Sequence, residues 1–497
     1  MEIILFLSSG LFLGWSLGAN DAANVFGTAV GTRMVKFRTA ALVCSIFIIL
    51  GATISGAGAA HTLGRLGAVN ALAGSFTVAL AAALTTFWMT RLRIPVSTSQ
   101  SIVGAIIGWN IYSSSVTDTA SLTKIVTTWV ACPLISAFVA VVTFILVRWL
   151  LKISKPHLLR LDAMTRLGLL LVGAFGSYSL GANNIANVMG VFVPDNPFTD
   201  LDFFGLFVIT GVQQLFFIGA VAIAVGVFTY SERVMGTVGS GLVKISPVPA
   251  LVIVLAQSIT LFLFASQGLE HFLASHGLPT FPLVPVSSSQ AVVGAILGIS
   301  LFRGTGIRYR VLGEISLGWV ATPLMAGVIA FLMLFVVDNV FDQKVNEVES
   351  YVLDWSVTEE LEQRGIQDEG LTEIIDVVFT NPLTMKSRLE KETGLSGAEV
   401  EKILELSHLG YWVVTAEVIA QEVDKHWFSQ EQLTALRSLE GRSFEHAWQF
   451  HQALAEVSPD WEYRPRATTN KIWNKDLSSK LSFLYRVFKM DKTDGQP

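Results

Sequence analysis

Asp21 makes the strongest chemical demand on its surroundings of any residue in this chain. It lies deep in an apolar run, within Gly18-Ala19-Asn20-Asp21-Ala22-Ala23-Asn24. A carboxylate in such a setting costs free energy unless donors or a cation accompany it. Asn20 and Asn24 bring amides to the same stretch. The pattern returns as Gly181-Ala182-Asn183-Asn184-Ile185-Ala186-Asn187, with the amide of Asn184 where the acid stood. One carboxylate among amides suits the handling of a small ion. The glycines around it, Gly14, Gly18, Gly27 and Gly31, allow two readings. One is a locally opened helix whose backbone reaches a ligand. The other is close contact between helices.

A second pair of motifs offers hydroxyl groups. Pro95-Val96-Ser97-Thr98-Ser99-Gln100 and Pro285-Val286-Ser287-Ser288-Ser289-Gln290 each open an apolar segment. Proline suits the first turn of a helix. A helix start with free N–H groups and hydroxyl donors attracts anions. Ser97, Thr98, Ser99, Ser287, Ser288 and Ser289 are therefore candidate oxyanion contacts, with plain helix capping as the alternative. A third pair, Trp129-Val130-Ala131-Cys132-Pro133 and Trp319-Val320-Ala321-Thr322-Pro323, reads as packing. Gln213, Gln214 and Gln257 read as hydrogen-bonding links between helices. Nothing resembles a nucleophile–base pair, a metal-ligand spacing or a phosphate-binding loop. The chain reads as no enzyme, with no cofactor, no transition metal and no use of ATP.

These residues need a scaffold, and the composition says which kind. The chain has 497 residues, 52% hydrophobic and only 15% charged. Residues 1–340 hold 28 of the 73 Asp, Glu, Lys and Arg, and residues 341–497 hold 45. This is a membrane protein with a water-soluble tail. Cys44 and Cys132 read as small core residues. No basic run points to nucleic acid. The start of the chain lacks a basic n-region and reads as the first membrane segment.

Ten segments are long and apolar enough to approach a crossing: 3–31, 39–60, 67–90, 95–113, 125–147, 167–193, 203–229, 248–270, 285–302 and 312–337. The three motifs recur in the same order, 163 residues apart for the first and 190 for the others, which places an insertion of 27 residues in the second half before Pro285. Five segments per repeat make the second copy inverted. Alternate loops carry fifteen Lys and Arg against two, Arg65 and Lys124. Basic loops stay cytoplasmic, so ten crossings put both termini on the non-cytoplasmic side. The alternative keeps the parity by making the first and fourth segments of each repeat re-entrant.

The doubled Gly-Ala-Asn-Asp/Asn and Pro-Val-Ser-Thr/Ser-Ser motifs resemble the inorganic phosphate transporter family of ion-coupled symporters, over about residues 1–340. The resemblance implies uptake of phosphate with sodium or protons across the plasma membrane. It assigns substrate binding to Asn20, Asp21, Asn24, Ser97, Thr98, Ser99, Asn183, Asn184, Asn187, Ser287, Ser288 and Ser289. Cation coupling falls to Asp21, Asn24 and Asn187. Two departures stand out. The family commonly has Asp in both copies, where this chain has Asn184, and often Thr-His where it has Ser99-Gln100 and Ser289-Gln290. Phosphate at neutral pH keeps P–OH protons to give a carboxylate, whereas sulfate has none. Losing one acid therefore leaves sulfate permease as the alternative, with an anion channel behind it.

The expected architecture is an all-α integral membrane protein with an inverted-topology repeat of five membrane segments each, plus a mostly helical soluble C-terminal domain. Its parts are membrane repeat 1 (1–150), a cytoplasmic basic linker (151–166), membrane repeat 2 (167–340) and the C-terminal domain (341–497). The partners are an inorganic oxyanion, a monovalent cation and membrane lipid; a homo-oligomer is compatible with all of this.

Overall fold

The computed structural model describes residues 2–490, except 68, 93–95, 195, 197, 199, 204–206, 233, 236–245, 305 and 424–426. Pro95 of the serine motif, and Arg93, Arg233 and Lys244 of the charge pattern, lie outside the described residues. The chain forms two compact units. The first comprises 1–113, 117–270 and 281–346, and the second 114–116, 271–280 and 347–497.

In the first unit, helices α1 (Glu2–Gly31), α2 (Phe37–Ser55), α3 (Ala57–Leu66), α4 (Leu72–Arg91), α5 (Thr98–Ser113) and α6 (Thr119–Ser154) make one half. The other half holds α7 (Leu158–Met189), the paired strands β1 (Leu201–Phe203) and β2 (Phe207–Ile209), and helices α8 (Gly211–Thr229), α9 (Pro247–Ala265), α11 (Ser288–Arg303) and α12 (Tyr309–Asn339); α10 (Gln267–Ser275) begins in the first unit and belongs to the second from residue 271. Among the described residues, six helices are long and apolar enough to cross a membrane: α2, α4, α6, α8, α9 and α12.

Three sequence expectations change here. The segments 95–113 and 285–302 hold helices of 16 residues, α5 and α11. At 1.5 Å per residue each rises about 24 Å, short of a hydrocarbon core of about 30 Å. Ten full helical crossings is therefore more than these helices supply. The linker expected over 151–166 is mostly helix, because α6 runs to Ser154 and α7 starts at Leu158. Only Lys155 to His157 turn between them, with Lys155 in the left-handed conformation. The helix through Asp21 is not opened: α1 is continuous over 30 residues and α7 over 32.

The glycines explain why these helices stay closed. A Cβ on Gly18 would strike the carbonyl of Ile223 in α8, and one on Gly181 the carbonyl of Ile48 in α2. The same helix pairs meet again where Gly51 faces Tyr178 and Gly226 faces Trp15. Small residues bring whole backbones into contact. Farther along, Gly104 of α5 abuts the Pro323 carbonyl of α12, and Gly294 of α11 abuts the Pro133 carbonyl of α6. Each proline sits inside its long helix, where it cannot donate the usual backbone hydrogen bond. Each half thus rests its helices on the other half's.

These pairs also locate the insertion. Corresponding positions lie 163 residues apart at Trp15 and Tyr178, 175 at Ile48 and Ile223, and 190 at Pro133 and Pro323. The extra 27 residues therefore enter in two places. Twelve fall between α7 and α8, where the β1–β2 hairpin stands, and fifteen between α9 and α11, around α10.

The second unit is less helical than the sequence indicated. A four-stranded antiparallel sheet, in the order β4 (Val378–Phe379), β3 (Ser350–Val352), β5 (His408–Val413) and β6 (Ser443–His446), runs among its helices. The strands have two to six residues, too few for an alternating pattern to stand out. Trp461 is fully buried in the core beside Phe428 and Phe450. His446, also buried, bridges the His408 carbonyl (2.9 Å) and the Asp354 carboxylate (2.8 Å).

Candidate functional site

The swapped packing of α1 and α7 brings the two polar motifs together. Asp21 is 2% exposed. Asn20 Nδ2 donates to its Oδ1 at 2.9 Å, and Asn184 Nδ2 donates to its Oδ2 at 3.1 Å. The acid of one copy is thus bound by the amide that replaces it in the other. Asn183 Nδ2 donates to Asn184 Oδ1 (2.6 Å) and to the Val286 carbonyl (2.7 Å), while the Val286 N–H donates back to Asn183 Oδ1 (3.2 Å).

The serine motifs join the same network, each through the opposite half. Asn24 Nδ2 donates to Ser288 Oγ at 3.0 Å. Asn187 Nδ2 donates to Ser99 Oγ at 2.8 Å. The Ser99 hydroxyl donates to the Val286 carbonyl at 3.2 Å, so the two helix starts touch directly. All twelve residues expected at the site are buried.

Their roles differ. Ser97 and Ser287 are helix caps, accepting from the N–H of Gln100 (3.3 Å) and Gln290 (3.2 Å). The hydroxyls of Ser287 and Ser289 lie 2.9 Å apart. Thr98 Oγ1 and Asn187 Oδ1 are buried without a hydrogen-bond partner, as are Gln100 Oε1 and Gln290 Oε1. Buried oxygens of this kind are costly unless something else completes them. The cluster combines one carboxyl group, neutral amides and hydroxyls, and two helix N-termini. That donor set can stabilise an oxyanion, while the spare acceptor oxygens suit a small hard cation.

Sequence reasoning assigned no role to Gln100 and Gln290; their recurrence at equivalent positions was the available signal. It had no means of finding the Val286 backbone, which pairs with Asn183 through both its N–H and C=O. Of the glutamines expected to link helices, Gln213 closes a capping box with Thr210, and Gln214 donates to the Ile209 carbonyl. Gln257 is buried with neither amide atom partnered. Trp129 and Trp319 pack as expected, but their indole N–H groups are also unpartnered.

Long and short apolar helices that enclose a buried polar cluster are the architecture of a membrane transport protein. The family model described as "Phosphate transporter family" matches residues 17–270 and 277–460. The chain belongs to that family, and the match runs past residue 340 into the second unit. A provisionally named phosphate permease of Methanocaldococcus jannaschii is 28% identical over 335 residues, covering 67% of this chain and 97% of the relative. The sulfate permease of Bacillus subtilis is 27% identical over 342 residues, covering 67% and 87%. A solved structure described as the sodium-dependent phosphate transporter shares the fold, with a TM-score of 0.54, 21% identity, and coverage of 68% of this chain and 99% of that one.

Proposed function

We propose that this protein is a secondary transporter that takes up inorganic phosphate by symport with sodium or protons across the plasma membrane. The observation that carries the reading is the bond from Asn184 to Asp21, which ties both polar motifs into one buried cluster beside both serine-rich helix starts. The oxyanion is held by Asn20, Asn183, Asn184 and the hydroxyls of Thr98, Ser99, Ser288 and Ser289. Ser97 and Ser287 fix the helix starts. Asp21 holds the coupling cation or a proton beside the anion, with Asn24 and Asn187 completing its oxygen shell. An anion entering a cell works against about 2.3 kcal/mol per charge per 100 mV, and a co-transported cation offsets that cost.

In this reading α5 and α11 each span together with the chain ahead of them, so the two halves form an inverted repeat with the basic loops cytoplasmic and both termini outside. The first unit is the translocating body, and the second is a soluble appendage. A second substrate reading, sulfate, is favoured by Asn184: one carboxylate fewer lowers the repulsion felt by an anion with no proton to give. Uptake of labelled phosphate and labelled sulfate into proteoliposomes, under imposed sodium or proton gradients, separates these readings. Phosphate accumulation driven by one cation gradient is the expected result. Equal flux with and without a gradient points to a channel, and accumulation of sulfate alone overturns the phosphate assignment.

A further inference from the structure

The two halves differ in charge at one pair of equivalent helix ends. At the end of α5, the Tyr112 hydroxyl donates to Asp338 Oδ2 on α12 at 2.7 Å, and Asn339 Nδ2 donates to Tyr112 at 3.3 Å. The protein satisfies itself there. The equivalents 190 residues away in register are Phe302 for Tyr112, Arg303 for Ser113 and Arg148 for Asp338. One guanidinium replaces the carboxylate, a second replaces a serine, and a phenyl ring replaces the phenol. Both arginines line an open cavity of about 520 Å³, with Phe144, Leu151 and Ser246. Arg303 lies over the Phe144 ring, 5.9 Å from its centre, and Phe302 meets the same ring edge-on. Among the described residues, no carboxylate pairs with Arg148 or Arg303.

We propose that this cavity binds a phosphate-bearing headgroup, supplied by an anionic phospholipid. Paired guanidiniums match phosphate oxygens in geometry as well as charge. The start of α9 points its dipole into the cavity, with an uncommitted Ser246 at its cap. Pro247 and Pro249 leave Val248 as its N–H donor in the first three residues, so the arginines dominate. Lipid is favoured over a free ion by what adjoins the cavity. Ile145, Leu146, Trp149, Leu150 and Ile153 of α6 are all exposed and apolar, giving acyl chains a surface beside the headgroup. Basic pockets between membrane helices recognise anionic lipids in this manner. Arg303 ends the same helix whose first residues, Ser288 and Ser289, enter the candidate site. A bound lipid would therefore anchor the far end of that helix.

The test is a titration of the full-length protein in detergent with phosphatidylglycerol, phosphatidylcholine of the same chains, and inorganic phosphate, followed by native mass spectrometry. Phosphatidylglycerol should be retained in preference to phosphatidylcholine. R148Q and R303Q should each weaken its retention about fivefold, the effect of one basic side chain facing an anionic surface, while R160Q leaves it unchanged. R148K and R303K should retain most of it, which keeps the test open if the Gln variants misfold. Wild-type retention in the R148Q/R303Q double variant overturns the proposal. Displacement of the lipid by equimolar inorganic phosphate assigns the cavity to a free ion and overturns the lipid source. Neither outcome bears on transport at Asp21, which uptake measures separately.

Discussion

Asp21 and Asn184 occupy equivalent places in the two halves, are nearly the same shape, and hydrogen-bond each other. Around them Asn24 matches Asn187, and each reaches across to a hydroxyl of the other copy, but one residue out of register: Asn24 bonds Ser288, the counterpart of Thr98, and Asn187 bonds Ser99, the counterpart of Ser289. At the Asp21/Asn184 position itself the difference is one ionisable group. The scaffold accepts an amide or an acid at this position without altering the glycine contacts that hold α1 and α7. Charge asymmetry inside a symmetric frame is therefore a property of one residue, open to change without rebuilding the fold.

The sharpest way to break that comparison is to make the halves alike. Asp21→Asn should insert at wild-type levels yet lose gradient-driven uptake by roughly a hundredfold or more, since at least two charge-assisted hydrogen bonds of about 1.5–3 kcal/mol disappear with the charge. Proteoliposome uptake under the same cation gradient measures it. Wild-type accumulation would make Asp21 a structural acid paired within the bundle.

A smaller effect is expected from the hydroxyls that receive the two matched asparagines. Ser99→Ala and Ser288→Ala should each raise the apparent KM for phosphate about tenfold or more, corresponding to about 1.5–3 kcal/mol for a lost bond to a charged group. If one variant keeps a wild-type KM, the two halves do not share the substrate equally. Smaller again is the effect on folding. Gly104→Ala and Gly294→Ala push a methyl group into the Pro323 and Pro133 carbonyls, and each should destabilise the protein by about 1–3 kcal/mol. Gly313→Ala, with open space around it, is the control in the same melting experiment. A loss at one glycine alone would show that the halves carry unequal load.

The smallest effect contrasts both halves with the second unit. Burial pushes the imidazoles of His408 and His451 below their ordinary range. For His408 the Glu349 charge opposes the shift, while Lys489 and His446 reinforce it. For His451 a bond to the Trp461 carbonyl opposes it and Arg364 reinforces it. The unfolded chain takes up these protons near pH 6.5 and the folded unit does not. The stabilisation is therefore complete above about pH 6.5 and declines as pH falls toward the lowered folded values. Hydrogen exchange on the full chain should show residues 347–490 loosening between pH 7 and 5, and His451→Gln should flatten the response.

Asp21 and the paired serines were legible in the sequence because repetition marks them: the same types in the same order twice are hard to produce by chance. What each copy touches was not legible. Nothing in the string around Gly104 names Pro323 as its neighbour, because the contact is backbone to backbone and carries no side-chain signature. The glycines near Asp21 fitted an opened helix as well as a close contact, and only the position of Ile223 decides. The basic linker expected at 151–166 is largely helical, because charged residues continue a helix wherever it leaves the apolar layer. The short strands of the second unit were hidden by their length.

Gly104 and its partner Pro323 are separated by 219 residues of chain. At a synthesis rate of 5–20 residues per second, roughly 10–45 s pass between the making of one and the making of the other. During that interval α5 rests on α4 of its own half, through the Ser101 hydroxyl and the Ala82 carbonyl, but lacks the α12 surface that completes its packing. Folding of this protein in the cell therefore contains an obligatory wait, in which the first half is guarded, by lipid or by an insertion factor, until the end of the second half is made. A ribosome halted after residue 157 leaves a product that quality control should clear, because the surfaces that would complete it have not been translated.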